Sequence, residues 1–109
     1  MMGENVVLCG ANSYNRKYYL NPLFSKLPEE IQRELKIMCV TIVAKSGGIL
    51  TLEFDPDGEL QFRVQCAERD YEFDDIASGM EISHARVSHQ ELLEEIQLYW
   101  RVLRERNSR

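Results

Sequence analysis

The stretch from Pro28 to Gly48 constrains the fold most, because it carries both the start and the stop signals of one helix. Proline is favoured at the first helical position, where its missing N–H is not needed. Two glutamates follow it and Lys45 lies near the end, as the helix dipole favours. Gly47 can adopt the left-handed conformation that ends many helices. The sequence therefore predicts a central helix over residues 28–45.

The apolar residues of this stretch predict which sides of the helix are covered. From residue 37 to residue 44 the chain is apolar nearly all round, which predicts burial on more than one side. The β-branched residues among them keep a strand open as the alternative, because short apolar runs are ambiguous by periodicity. Four residues form the main stripe at helical spacing: Ile31, Leu35, Met38 and Ile42.

Residues 50–64 predict a β-hairpin. The sequence DPDG at positions 55–58 suits a type I turn, with Gly58 available for the bulge position. Closing this turn places only apolar pairs on one face of the hairpin. A hairpin alone is marginally stable, so N-terminal strands or a second copy of the chain must extend the sheet. The apolar pairs are Phe54 with Leu60, Leu52 with Phe62, and Leu50 with Val64.

The N-terminal segment predicts two further strands. Residues 5–9 form the first strand, and a break that starts at Gly10 ends it. Residues 14–20 form the second, with Tyr18 on one face and Tyr19 on the other because side chains alternate along a strand.

The last third of the chain predicts helical structure, as one long helix or as two. Asp70 is a suitable N-cap for the first part. Phe73, Ala77 and Met80 are expected to form the apolar side of that part.

A capping-box pattern, Ser88 with Glu91, precedes the strongest helical pattern, which runs to about residue 106. Leu98 and Val102 lie off its core-facing stripe, among charged residues, and they predict a second, smaller contact with another subunit. The core-facing stripe consists of Leu92, Leu93, Ile96, Tyr99, Trp100 and Leu103.

Together these elements predict an α+β fold: an antiparallel sheet of three or four strands with a central helix and a long C-terminal helix. The chain has 109 residues, which we expect to form a single domain over residues 1–109. The strand order and the oligomeric state are not predicted.

Charge and composition exclude several classes of protein. The net charge is −5, and residues 50–81 hold ten acidic residues against two arginines. Such acidity argues against a nucleic-acid partner, which requires clustered Lys and Arg. We expect no membrane span and no signal peptide. Three cysteines without a paired spacing predict reduced thiols and a cytoplasmic location.

The most suggestive polar residues lie near the N-terminus. Cys9 precedes a glycine-containing loop and would be a nucleophile if a base lowered its pKa, but no local motif supplies that base, and a small buried residue before a turn is the favoured interpretation. We predict a pocket in this region that is formed by Cys9, Asn12, Tyr14, Tyr18 and Tyr19. Tyrosines also anchor interfaces or fill cores, and both alternatives stay open.

We predict no catalytic residue, no cofactor and no metal ligand. His84 and His89 are five residues apart, which is not the spacing of a helical metal-binding pair. The acidic residues near position 70 are typical of a helix N-terminus.

Three runs carry a resemblance to a known family: GENVVLCGANSY at 3–14, LKIMCV at 35–40 and GGILTLEF at 47–54. The sequence resembles a family of small bacterial proteins defined only as a domain of unknown function. This resemblance covers nearly the whole chain. It implies a stand-alone bacterial cytosolic protein and brings no activity, ligand or site residue with it.

Two hypotheses for the function follow. The first is a non-enzymatic protein-interaction module, a homodimer that uses Leu98, Val102 or an edge strand, with another protein as a further partner. The alternative is a small-molecule-binding protein or a small enzyme with its pocket near the segment from Cys9 to Tyr19.

Overall fold

The computed structural model describes residues 3–107 and contains four strands and three α-helices. The α+β prediction is confirmed, including the long C-terminal helix. A short 3-10 helix, Pro22–Phe24, leads into the first α-helix. In chain order the elements are β1 (Val6–Asn12), β2 (Lys17–Leu20), α1 (Glu29–Ser46), β3 (Ile49–Phe54), β4 (Leu60–Gln65), α2 (Asp75–Ser88) and α3 (Gln90–Asn107).

The sheet is antiparallel throughout, with the strand order β2-β1-β3-β4. The predicted register of the β3–β4 hairpin is confirmed, since Phe54 pairs with Leu60 and Leu50 pairs with Val64. Asp55 stabilises the turn, because its carboxylate accepts hydrogen bonds from the backbone N–H groups of Asp57 and Glu59. Helices α1 and α3 pack on one face of the sheet, α2 packs against both of these helices, and the other face is open.

Strand β1 is longer than expected, because Gly10 does not break it. Gly10 pairs with Tyr19 on one side and with Thr51 on the other, so two neighbouring strands hold it extended. A register shift between Val7 and Cys9 forms a bulge, which lets two successive residues, Leu8 and Cys9, both be buried. Tertiary pairing here overrides the local preference of glycine.

Helix α1 crosses the sheet as the core element of the helical layer. Pro28 is its N-cap instead of its first helical residue, and the carbonyl of Pro28 accepts the N–H of Gln32 at 3.0 Å. Leu35, Met38 and Ile42 are buried as predicted. Both the sheet and α2 contact α1, as burial on more than one side predicts, but one side stays uncovered, where Ile37 and Val40 are 58% and 42% exposed. Part of this uncovered side forms the wall of a groove.

Helix α2 differs from its prediction in both its start and its orientation. Asp74, and not Asp70, is the N-cap, and its carboxylate accepts the N–H of Ala77 at 2.9 Å. Met80 faces solvent, whereas Ser78 and Ala85 are the buried residues of this helix. The prediction that Met80 lies on the buried side is therefore wrong.

Helix α3 follows α2 after a break at His89, so the last third of the chain forms two helices. Ser88 does not cap α3, because its hydroxyl donates to the carbonyl of His84 within α2. The predicted stripe does face the core, where Trp100 stacks on Phe54 and packs against Phe24. In the described part of the chain, no helix has the length and apolar character that crossing a bilayer requires.

Candidate functional site

A groove of about 670 Å³ lies between α1 and the β1–β2 hairpin. Its wall is formed by Val40 and Ala44 on the uncovered side of α1 and by Val43 beside them, which is buried. Its volume falls in the range of known small-molecule sites, which are mainly apolar with a few polar groups. The hairpin side consists of Ala11, Asn12, Ser13, Arg16, Lys17 and Tyr18, while Lys36 and Gly47 complete the lining.

The hairpin turn fixes the polar side of the groove. The side-chain oxygen of Asn12 accepts the N–H of Tyr14 at 2.8 Å, and that of Asn15 accepts the N–H of Lys17 at 3.1 Å. Arg16 occupies the left-handed region with φ 57°, which lets the chain reverse in four residues. The N–H of Ser13 donates to the carbonyl of Gly48, which attaches the turn to the start of β3.

Three cations surround the groove, and the described part of the chain contributes no carboxylate to its lining. Arg16, Lys17 and Lys36 form no ion pair with any residue of the range 3–107. The Lys36 ammonium lies 5.9 Å from the centre of the Tyr18 ring, a cation–π distance. Since the whole chain has a net charge of −5, this is a local positive field on an acidic protein.

Tyr18 connects the groove to the core. Its ring lines the groove, but its hydroxyl oxygen is buried and has no hydrogen-bond partner in the described residues. Burial is the main cause that raises the pKa of Tyr18, and the Cys9 and Cys39 thiols add to the effect. Tyr18 therefore stays neutral and does not offset the positive charge of the groove.

Cys9 lies behind the groove, fully buried, with its sulfur 3.7 Å from that of Cys39. Hydrogen bonding between these thiols, followed by burial, raises the pKa of Cys39. An activated cysteine needs an accessible, electropositive setting in which the thiolate is favoured. The Cys9–Cys39 pair has neither property, so the structure gives no support to Cys9 as a nucleophile.

A family model described as a family of unknown function (DUF6145) matches residues 5–108. The chain belongs to this family. No curated protein and no solved structure matches the chain. The sequence-based resemblance to a domain of unknown function is thereby confirmed. The DUF6145 assignment carries no activity, so the function of this chain must be argued from its geometry.

Tyr14 of this DUF6145 chain lies outside the groove and joins two loops. Its hydroxyl donates to a carboxylate oxygen of Asp70 and accepts the N–H of Ala67 at 2.9 Å. The hydrogen bond from Tyr14 is the main cause that lowers the pKa of Asp70, and the same bond raises the pKa of Tyr14. Tyr14 thus attaches the β1–β2 turn to the segment that follows β4.

We expect Tyr14→Phe to lower the stability of the protein near neutral pH and to have a smaller effect in acid. Because the pKa of Asp70 is lowered in the folded state, its contribution is present above its ordinary pKa and is lost as the pH falls through the folded value. The urea midpoints of wild type and variant should therefore converge as the pH is lowered from neutral to below the ordinary pKa of an aspartate, about 4. If the difference between the two urea midpoints does not change with pH, the proposed contribution of the Tyr14–Asp70 hydrogen bond is wrong.

Tyr19 faces the opposite side of the sheet from Tyr18, as predicted. It lines a second concavity, of about 570 Å³, on the open face, together with Gly10 and Thr51. Cys9, Asn12 and Tyr18 also contribute to this lining. Among the described residues of this lining Lys17 is the only charged one, so the cluster of cations that distinguishes the groove is not repeated here.

The remaining sequence-based candidates lie away from the groove. Leu98 and Val102 lie on the outer side of α3, with 55% and 47% of their surfaces exposed. Within residues 3–107, no three His, Cys, Asp or Glu side chains are arranged to hold a metal ion.

The sequence interpretation identified Asn12 and Tyr18 in this region but missed the groove's cations and its apolar wall. Lys36 is far from Arg16 and Lys17 in sequence, and only the packing of α1 against the hairpin brings them together. One signal was present in the sequence: a helix that is apolar nearly all round, at Val40 to Ala44, beside a strand whose Tyr18 faces inward.

Proposed function

We propose that this protein binds a small anionic molecule with an apolar part, such as a carboxylate or a phosphate ester attached to an aromatic or aliphatic group. One observation carries the proposal: three cations without an ion pair among the described residues surround a groove of about 670 Å³, whose described lining has an apolar helix wall and no carboxylate. The cations would hold the anionic group, and Val40, Val43 and Ala44 would contact the apolar part. The protein is a non-enzymatic binding protein in this proposal.

The chemistry of the lining supports an anionic ligand over a neutral one. Unpaired Lys and Arg beside a low-dielectric wall attract an anion more strongly than cations that are paired with carboxylates. The guanidinium of Arg16 can form two hydrogen bonds to one carboxylate or phosphate. Lys17 and Lys36 supply point charges on flexible stems, which suits ligands of different length.

We further propose that the protein acts in the bacterial cytoplasm. The support is the state of its thiols, because all three cysteines are free and the sulfurs of Cys9 and Cys39 lie in contact without a bond. Such a pair is expected to persist in a reducing compartment.

The proposal is tested with two fluorescent probes of nearly the same shape. The anionic probe is 8-anilinonaphthalene-1-sulfonate, and the neutral probe is N-phenyl-1-naphthylamine, which has the same aromatic body without the sulfonate. We expect the wild-type protein to bind the anionic probe at least about fivefold more tightly, with affinity that falls as salt is added. Equal affinity for the two probes would contradict the role of the cations.

Charge reversal at the groove then assigns the binding site. We expect Lys36→Glu to raise the dissociation constant of the anionic probe at least about tenfold, since a charge-assisted contact is worth about 1.5–3 kcal/mol. The matched control is Lys26→Glu, an exposed lysine outside the groove, which should change this constant less than about twofold. Equal effects of the two variants would show a general effect of net charge and would refute the site.

A further inference from the structure

Helix α2 presents three of its four larger apolar residues to solvent, while the fourth, Ile82, is partly buried against the core. Ile76, Met80 and Val87 are 75%, 67% and 76% exposed. The buried side of the same helix carries the small residues Ser78 and Ala85. An amphipathic helix of a monomeric domain normally has the reverse arrangement, with its large apolar residues toward the core.

The exposed apolar residues form one stripe, in which the polar Ser83 lies between Met80 and Val87. At 3.6 residues per turn, Ile76, Met80, Ser83 and Val87 fall within an arc of about 60°. The buried Ser78 and Ala85 lie on the opposite side of the helix. An apolar stripe on an exposed helix marks a surface that another molecule covers.

The order of the residues along α2 matches a second copy of the same helix. If two copies pack antiparallel about a two-fold axis near the middle of α2, Ile76 meets the partner's Val87. Met80 then meets the partner's Ser83, a small residue that leaves room for it. Each contact occurs twice, as a two-fold interface requires.

The charges of α2 are complementary in the same arrangement. Asp75 lies in its first turn and Arg86 in its last turn, both on the same flank of the apolar stripe. Neither forms an ion pair with a residue of the range 3–107. The antiparallel arrangement brings Asp75 beside the partner's Arg86, while a parallel two-fold arrangement would place the two charged flanks on opposite sides of the contact, where they do not meet. The Arg86 guanidinium stacks on the Phe62 ring at 4.7 Å, which holds it near this flank.

We propose that this protein forms a homodimer through antiparallel packing of α2 against α2 of a second copy. This surface replaces Leu98 and Val102, where the sequence placed the contact between subunits. On α3 those two residues are exposed, but they lie on a helix whose core-facing side already holds its large apolar residues. The proposal is independent of the groove and of its ligand.

The first test is the mass of the full chain in sedimentation equilibrium, from about 1 to about 300 µM. We expect a monomer–dimer equilibrium in the micromolar range, because one helix pair buries less area than a standard interface. Met80→Glu should raise the dimer dissociation constant at least about tenfold, since it places a charge against an apolar surface. Val87→Glu serves as a second variant, and circular dichroism verifies that each variant is folded.

The matched control is Leu98→Glu, an exposed leucine on α3, which should change the dissociation constant less than about threefold. A wild-type chain that stays monomeric throughout the concentration range would overturn the proposal. Dissociation by Leu98→Glu but not by Met80→Glu would also overturn it, as would a monomer that instead binds a different protein through Met80.

A charge swap tests the antiparallel direction. Arg86→Asp alone should weaken the dimer about tenfold, and the double variant Arg86→Asp with Asp75→Arg should restore it to within about threefold of wild type. Within one helix the two residues are about 16 Å apart, too far for an ion pair. Restored dimerisation would therefore show that the two residues form an ion pair between the two copies. A double variant as weak as Arg86→Asp would refute this arrangement.

Discussion

Replacing Gly48 with alanine is expected to destabilise the protein by about 3 kcal/mol, although it adds a single methyl group. Gly48 has φ +81°, in the left-handed region that costs an L-residue about 1–2 kcal/mol. An added Cβ would also lie 2.8 Å from the backbone oxygen of Gln65 and 2.8 Å from the Phe73 ring. The backbone oxygen belongs to β4, so relief of this contact requires movement of the end of the sheet.

A shift of the backbone at Gly48 would also change the shape of the groove. The carbonyl of Gly48 accepts the N–H of Ser13, and Gly47 and Ser13 both line the groove. We therefore expect Gly48→Ala to weaken binding of the anionic probe in addition to its effect on stability.

The matched control for this substitution is Gly79→Ala in α2. An added Cβ at Gly79 has no atom within 4 Å, and alanine is favoured over glycine inside a helix by about 0.5–1 kcal/mol. The same chemical change should therefore stabilise the protein at one position and destabilise it at the other. Urea denaturation, followed by the fluorescence of Trp100 at low protein concentration, measures both. A loss below about 1 kcal/mol at Gly48 would contradict the steric argument.

The parts of the fold that local chemistry determines could be predicted from the sequence. The DPDG turn and the alternation of apolar residues in residues 50–64 determined the register of the β3–β4 hairpin, because a shift by one residue would bury polar side chains. The stripe on α3 was equally clear, since its apolar residues repeat at helical spacing with charged residues between them.

The parts that depend on contacts distant in sequence could not be predicted. Gly10 looks like a strand break, but it lies at the centre of the sheet, where β2 and β3 hold it. Asp70 looks like an N-cap, but its carboxylate accepts a hydrogen bond from Tyr14, and the helix starts only after Asp74. In both cases a partner many residues away decides the outcome.

The candidate site and the orientation of α2 could not be predicted from the sequence either, because both depend on contacts between residues that are distant in sequence. The groove exists because α1 has an apolar side that the hairpin covers only partly, which no periodicity reveals. For α2, a sequence stripe that contains Met80 looks like a core-facing side, whereas the structure turns Ser78 and Ala85 inward. Periodicity identifies an apolar side but does not say whether this chain or another molecule covers it.

Replacing Phe54 with alanine is expected to cost about 4 kcal/mol, the largest effect we predict for one side chain. Phe54 is fully buried, and its ring stacks on Trp100 at 5.2 Å and on Phe24 at 5.5 Å between ring centres. The loss combines the transfer free energy of the ring, the cavity left behind and two aromatic contacts of about 0.5–1.5 kcal/mol each. Tyr19→Ala, on the open face of the sheet, is the control and should cost less than about 1 kcal/mol.

Because Phe54 lies far from the groove, its substitution should lower the stability of the fold without changing binding at the groove. Phe54 is the last residue of β3, close to the point where α3 is attached to the β3–β4 hairpin. Two hydrogen bonds make this attachment: the side-chain oxygen of Gln97 accepts the N–H of Leu60 at 2.8 Å, and Arg104 donates to the carbonyl of Pro56 at 2.9 Å. The groove lies beside the other end of β3, about 16 Å away along the strand. We therefore expect folded Phe54→Ala protein to show altered Trp100 fluorescence and an unchanged affinity for the anionic probe. A parallel loss of affinity would mean that the aromatic cluster and the groove form one cooperative unit, coupled through the core that Phe54 shares with Ala11 and Val43 of the groove lining.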